Sequence, residues 1–259
     1  MSDEVEFQAT RAEELTKLIA AGDADAIIAF IRRAPSALER RQLFSIAQQA
    51  STRRKDAGRD LDALVRLASA AIEEGTSQAA GEKDEEESTR RLEFVLLTSS
   101  VLAGDLCECW PSDTATRTRS HLEAGLAAAT DVIRLNDVLA RPPSVRSAAW
   151  WFRGAFELSL ARPKKAAASF ERALDFARRC AKDAPAAVVP CGDVDVALAS
   201  GALGLATKRR LFDDGCASLD ATSNTPGAPA ARAAALAAAR LRWFAGRLAA
   251  PTRPDDLRF

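Results

Sequence analysis

Residues 147–180 read SAAWWFRGAFELSLARPKKAAASFERALDFARRC, and this stretch decides the architecture. With Ser147 counted as position 1, Trp150, Gly154, Ala166, Phe170 and Ala173 fall at positions 4, 8, 20, 24 and 27. One apolar helical pattern runs over 144–161. A second starts at Pro163, where a first-turn proline loses no hydrogen bond. Two helices joined by so short a turn lie antiparallel. Gly154 leaves a notch in the first helix, Phe170 is the knob that enters it, and Ala166 and Ala173 leave room around the ring. Trp150 is expected to fill the gap one turn before Gly154.

Outward from this hairpin the pattern stays helical. Helices are expected over 6–21, 24–34, 36–54 and 58–75, with Asp23 and Ser36 as N-caps. Further helices are expected over 89–108 and over 114–139, the latter capped by Ser112 or Asp113 and closed by Arg141-Pro142-Pro143. Beyond the hairpin, 183–193 reads as an irregular connection, followed by helices over 194–209, 211–220 and 229–249. The acidic run AGEKDEEES at 80–88 cannot bury apolar surface; it reads as a solvated loop or a linker. The organisation is therefore N-terminal hairpins over 1–79, the acidic segment 80–88, a helical stack with a C-terminal capping helix over 89–250, and a tail over 251–259. The fold class is all-α, a right-handed stack of antiparallel helix hairpins.

The offsets within 147–180 resemble those of the tetratricopeptide repeat (TPR), a 34-residue helix–turn–helix unit. The likeness is specific over that one repeat and architectural elsewhere; LASGALGLA at 198–206 hints at another first helix. In the TPR family the first helices line a concave groove, and the matching groove positions here are Ala148, Trp151, Ala155 and Leu158. The resemblance thus implies that Trp150 is core and Trp151 faces the groove as an anchor; the alternative, on a helix that Phe152 and Phe156 make apolar all round, is that Trp151 packs under a neighbouring helix. Family members that grip a C-terminal carboxylate place Lys and Asn at such positions. Trp and Ala stand there instead, so apolar contact is the expected mode. Arg153 and Glu157, four apart, are expected to support the helix.

The remaining chemistry is thin. The 259 residues carry 36 basic and 36 acidic side chains, one His and no Tyr, so composition gives no nucleic-acid footprint and few catalytic groups. Cys107, Cys109, Cys180, Cys191 and Cys216 are irregularly spaced and read as free, mostly buried thiols of a reducing cytoplasm. Cys107-Glu108-Cys109 with His121 lacks the second ligand pair of a structural zinc site, so no metal or other cofactor is expected. The segment 39–50, ERRQLFSIAQQA, is loosely similar to a helix of the 14-3-3 proteins. Gln48 stands where that family has a Lys, which disfavours a phosphopeptide grip; Arg53 and Arg54 read as a solvated helix end. The last helix carries Arg232, Arg240, Arg242 and Arg247 and reads as a cap, with no membrane insertion.

The expectation is a non-catalytic, cytoplasmic interaction scaffold or adaptor that presents a mainly apolar groove to a protein or peptide partner. The alternative is a regulatory sensor that binds a small peptide or metabolite and changes partner affinity. Degenerate end repeats leave apolar surface that a second copy can cover, so a homo-oligomer is compatible with this reading.

Overall fold

The computed structural model describes residues 2–53, 60–111, 113–183, 189–207, 210–225 and 230–250. Among them every regular element is an α-helix, as the apolar periodicity requires. The chain divides into two compact units, 1–105 and 106–259, each treated by itself below.

The first unit holds α1 (Ser2–Ala21), α2 (Ala24–Arg32), α3 (Ala37–Arg53), α4 (Leu61–Ala80) and α5 (Glu85–Leu106). Its helix starts follow from capping chemistry. The Asp23 carboxylate accepts the Asp25 and Ala26 N–H groups, Ser36 Oγ accepts from Glu39, and Asp60 accepts from Ala63. The core of α1–α4 is mainly aliphatic, with Leu15, Ile27, Ile31 and Leu67 buried together around Phe44. Gly75 of α4 lets α5 approach closely: a Cβ there would stand 2.7 Å from Val95 and 2.8 Å from Phe94.

The acidic run does not separate the units. Residues 80–88 lie inside the first one, and the division falls after Asp105. The run is a tight turn closed by its own charges. Glu82 accepts the N–H groups of Lys83 and Asp84, Asp84 caps α5 by accepting from Glu87, and Arg91 pairs with Glu82 and Glu87. Four of its residues, Glu85 to Ser88, already belong to α5, where acids suit the N-terminal end of the helix dipole.

The second unit holds α6 (Arg119–Val138), α7 (Pro143–Ser159), α8 (Pro163–Asp183), α9 (Val189–Thr207), α10 (Leu211–Ser223) and α11 (Ala231–Ala249). Each helix packs on the next, and α7 and α11 both pack on α9 as well. The hairpin read from 147–180 forms as α7 and α8. A Cβ on Gly154 would stand 2.7 Å from the Phe170 ring, and Ala166, Phe170 and Ala173 are fully buried. The same device recurs one helix earlier, where Gly125 of α6 receives Phe156 of α7.

Two connections share one sequence and one geometry. Leu-Ala-Arg-Pro occurs at 139–142 and again at 160–163, ending α6 and α7. Ala140 and Ala161 take left-handed φ values of 48° and 57°. Around each, the two backbone bonds of a Schellman motif close the helix: Arg141 to Asn136 at 2.9 Å and Arg162 to Glu157 at 2.8 Å are the longer-range ones. Proline then starts the next helix.

Several boundaries move. Residues 113–118 are not helical, and α6 is capped by Thr118. The hydroxyl of Thr118 accepts the His121 N–H, and His121 Nδ1 accepts the Thr118 N–H, so the one His closes a capping box. The connection expected over 183–193 is shorter, because α9 already runs from Val189. The Ser112 cap, part of SNTPGAP, and the tail 251–259 lie outside the described residues, as do the side chains of Arg53, Arg54 and Cys191.

Candidate functional site

Helix α7 is apolar nearly all round, and its neighbours divide it into two working stripes. The first contains the four groove positions. Ala148 is exposed, whereas Trp151 is 3% exposed and Ala155 and Leu158 are fully buried. These four do not form an open surface. The Trp151 ring lies against Phe152, Phe170 of α8 and Phe244 of α11, with centroids 5.6, 6.2 and 6.2 Å away. The roles that the resemblance implies for the tandem tryptophans are therefore exchanged: Trp151 is core, packed under neighbouring helices, and Trp150 is half-buried at the surface.

What covers this stripe is the C-terminal helix. Phe244 and Leu241 of α11 are fully buried, and a Cβ on Gly201 of α9 would stand 2.4 Å from Leu241. The arginines read as a polar outer face are partly spent inward. Arg240 lies 4.1 Å over the Trp110 ring and 5.7 Å from Trp151. Arg242 pairs with Asp220 of α10, and Arg247 reaches Glu108 and the Ala115 carbonyl. Near Arg240, burial pushes the Asp195 carboxyl up to about 6 although the arginine acts to lower it.

The second stripe of α7 consists of Trp150, Arg153 and Glu157. With Arg162, Lys165 and Arg172 these line an open pocket of about 410 Å³ bounded by α6, α7 and α8. Glu157 is 2% exposed and accepts from Arg153 Nε at 3.2 Å and from Ser169 Oγ of α8 at 2.6 Å. The Arg153–Glu157 pair does support α7, and it also ties α7 to α8. Arg153 lies over the Trp150 ring at 5.1 Å, and Arg162 faces Glu123 at 3.6 Å. Sequence reasoning did not gather this pocket. Its signal is the spacing of Trp150, Arg153 and Glu157 on one helix and of Lys165, Ser169 and Arg172 on the next.

The other candidate groups are structural. Cys107 and Cys109 are buried, and burial with the neighbouring Cys109 holds the Cys107 thiol well above its ordinary range. His121 is committed to the Thr118 cap, and among the described residues no group of three His, Cys, Asp or Glu side chains is placed to hold a metal ion. Gln48 is buried and donates to the Thr98 carbonyl. No helix among the described residues is long and apolar enough to cross a membrane. Set beside protein-family models, curated proteins and solved structures, the chain matches none of them.

Proposed function

We propose that this chain is a TPR-like, non-catalytic interaction scaffold whose second unit accepts an amphipathic helix on the apolar face of α7 and α9. The observation that carries this reading is the chain's own α11. It seats Phe244 against Trp151 and Leu241 over Gly201 and flanks them with Arg240 and Arg247. Anchors three residues apart with cations at the margins are how a helix occupies an apolar groove. A partner helix of the same chemistry competes for this face.

The test places a protease site at 226–229, cuts the folded chain, and adds labelled peptide spanning residues 230–250. The expected result is a cut protein that keeps its circular-dichroism signal and exchanges the labelled peptide, with uptake reduced at least tenfold by Phe244→Ala in the peptide. Loss of the fold on cutting, or no uptake, removes the reading and makes α11 ordinary core. The sensor alternative has one observation in its favour, the open pocket beside Glu157.

A further inference from the structure

The pocket between α6, α7 and α8 has an unusual charge balance. Four cations, Arg153, Arg162, Lys165 and Arg172, line it together with the carboxylate of Glu157, and Arg162 is also paired with Glu123 of α6 at 3.6 Å. Glu157 is already satisfied by Arg153 Nε and Ser169, and it holds the Arg153 guanidinium through Nε, leaving both terminal nitrogens without an acceptor among the described residues. Lys165 and Arg172 have no hydrogen bond or ion pair among the described residues, and both are exposed toward solvent. Arg162 is fixed at the rim, because its N–H closes the end of α7 on the Glu157 carbonyl. Cations gathered in a concavity repel one another, and an anion of matching charge relieves that repulsion.

We propose that this pocket is a binding site for a phosphomonoester dianion. Arginine forks and a lysine point charge are the donor set that phosphate oxygens take, and the surplus of two positive charges that remains once Glu157 and Glu123 are counted matches a dianion better than a single carboxylate. The volume of about 410 Å³ accommodates a small phosphorylated molecule or one phosphorylated side chain. The buried Glu157 and Ser169 are positioning residues: they orient Arg153 and do not themselves touch the anion. The site lies on a different stripe of α7 from the face under α11, roughly 130° round the helix at 3.6 residues per turn. It stands whether or not that face accepts a partner helix.

Isothermal titration of the full chain with glycerol 2-phosphate, a phosphoserine peptide and citrate tests it. The expected result is saturable binding of at least one phosphomonoester at pH 7.5. It weakens with salt, and it weakens again at pH 5.5, below the second phosphate pKa of about 6. Lys165→Ala and Arg172→Ala each reduce the affinity at least fivefold with the circular-dichroism spectrum unchanged, both residues being exposed. A peptide bound more than tenfold tighter than glycerol phosphate identifies a modified protein as the source; equal or tighter binding of the small ester identifies a free metabolite. No saturable binding, binding indifferent to both substitutions, or citrate bound as tightly as the esters overturns the proposal.

Discussion

The N–H of Arg162 donates to the Glu157 carbonyl at 2.8 Å across a turn in which Ala161 is held left-handed at φ 57°. The same turn, with Ala140 at φ 48°, ends α6. An L-residue with a Cβ pays roughly 1–2 kcal/mol for this conformation, which glycine adopts freely. Against that stands the greater freedom of glycine in the unfolded chain, about 0.4–1 kcal/mol. Ala140→Gly and Ala161→Gly are each expected to stabilise the protein by about 0.5–1 kcal/mol. Chemical denaturation that shows either variant to be less stable than wild type contradicts the left-handed caps.

Filling the notch between α7 and α8 has the opposite effect. Gly154→Ala gains helix propensity but sets a methyl 2.7 Å from Phe170, whose ring is fully buried. Overpacking costs about 1–3 kcal/mol, so a net loss on the order of 1–2 kcal/mol is expected. Gly154→Ala combined with Phe170→Leu is expected to recover part of it. A thermal midpoint unchanged in the single variant shows that the two helices do not approach this closely.

Asp195 gives the stability of the second unit an inverted pH dependence. Its carboxyl rises from 3.8 in the open chain to about 6 in the fold, so the folded state binds the proton more tightly. Stability from this group is full below pH 3.8 and is lost as pH rises through 6. Asp195→Asn is expected to stabilise the protein at pH 7.5 by roughly 2 kcal/mol and to change little at pH 4. Equal gains at both pH values point to packing, not charge, as the cause.

Carboxylates of the first unit run the other way. Glu74 is held below its ordinary range by hydrogen bonds from Arg40 and Gln78, which outweigh its partial burial; Glu82 by the Asp84 and Lys83 N–H groups; and Glu87 chiefly by Arg91. What they contribute is present above the ordinary glutamate pKa and disappears as pH falls through their lowered values. Arg40→Met is expected to flatten the acid limb of an unfolding curve followed in residues 1–105. An unchanged limb places the acid sensitivity elsewhere.

Arg117 is a buried ion of the second unit. Its side chain is fully buried, with Nε on the Leu106 carbonyl at 3.1 Å, Nη1 on Ala115 at 2.8 Å and Nη2 on the Asp113 carboxylate. Arg117→Met strands these acceptors, and a loss of about 3–5 kcal/mol is expected. Urea unfolding measures it, and a loss below 1 kcal/mol denies the bonds their structural role.

Much of the fold was legible because its signals are local. Asp23 and Ser36 announce helix starts, Pro163 fixes the start of α8, and the spacing of Gly154 and Phe170 specifies a close hairpin. Such features depend on φ preferences, orphan N–H groups and side-chain size within a few residues. The repeated Leu-Ala-Arg-Pro stands in the sequence, but its left-handed alanine is known only from the structure, because nothing in an alanine's local chemistry favours positive φ.

The sequence by itself determined an all-α chain and the α7–α8 hairpin. Only the tertiary structure decided which tryptophan is core. Helical periodicity fixes the angle between Trp150 and Trp151 but not the direction of the neighbours, and α7 is too apolar all round to reveal it. Phe244 of α11, 93 positions beyond Trp151, supplies that direction by burying one ring and leaving the other beside Arg153. The cationic pocket is decided in the same way. Its charges belong to separate helices, and only packing brings Lys165 and Arg172 of α8 round to the buried Glu157 of α7.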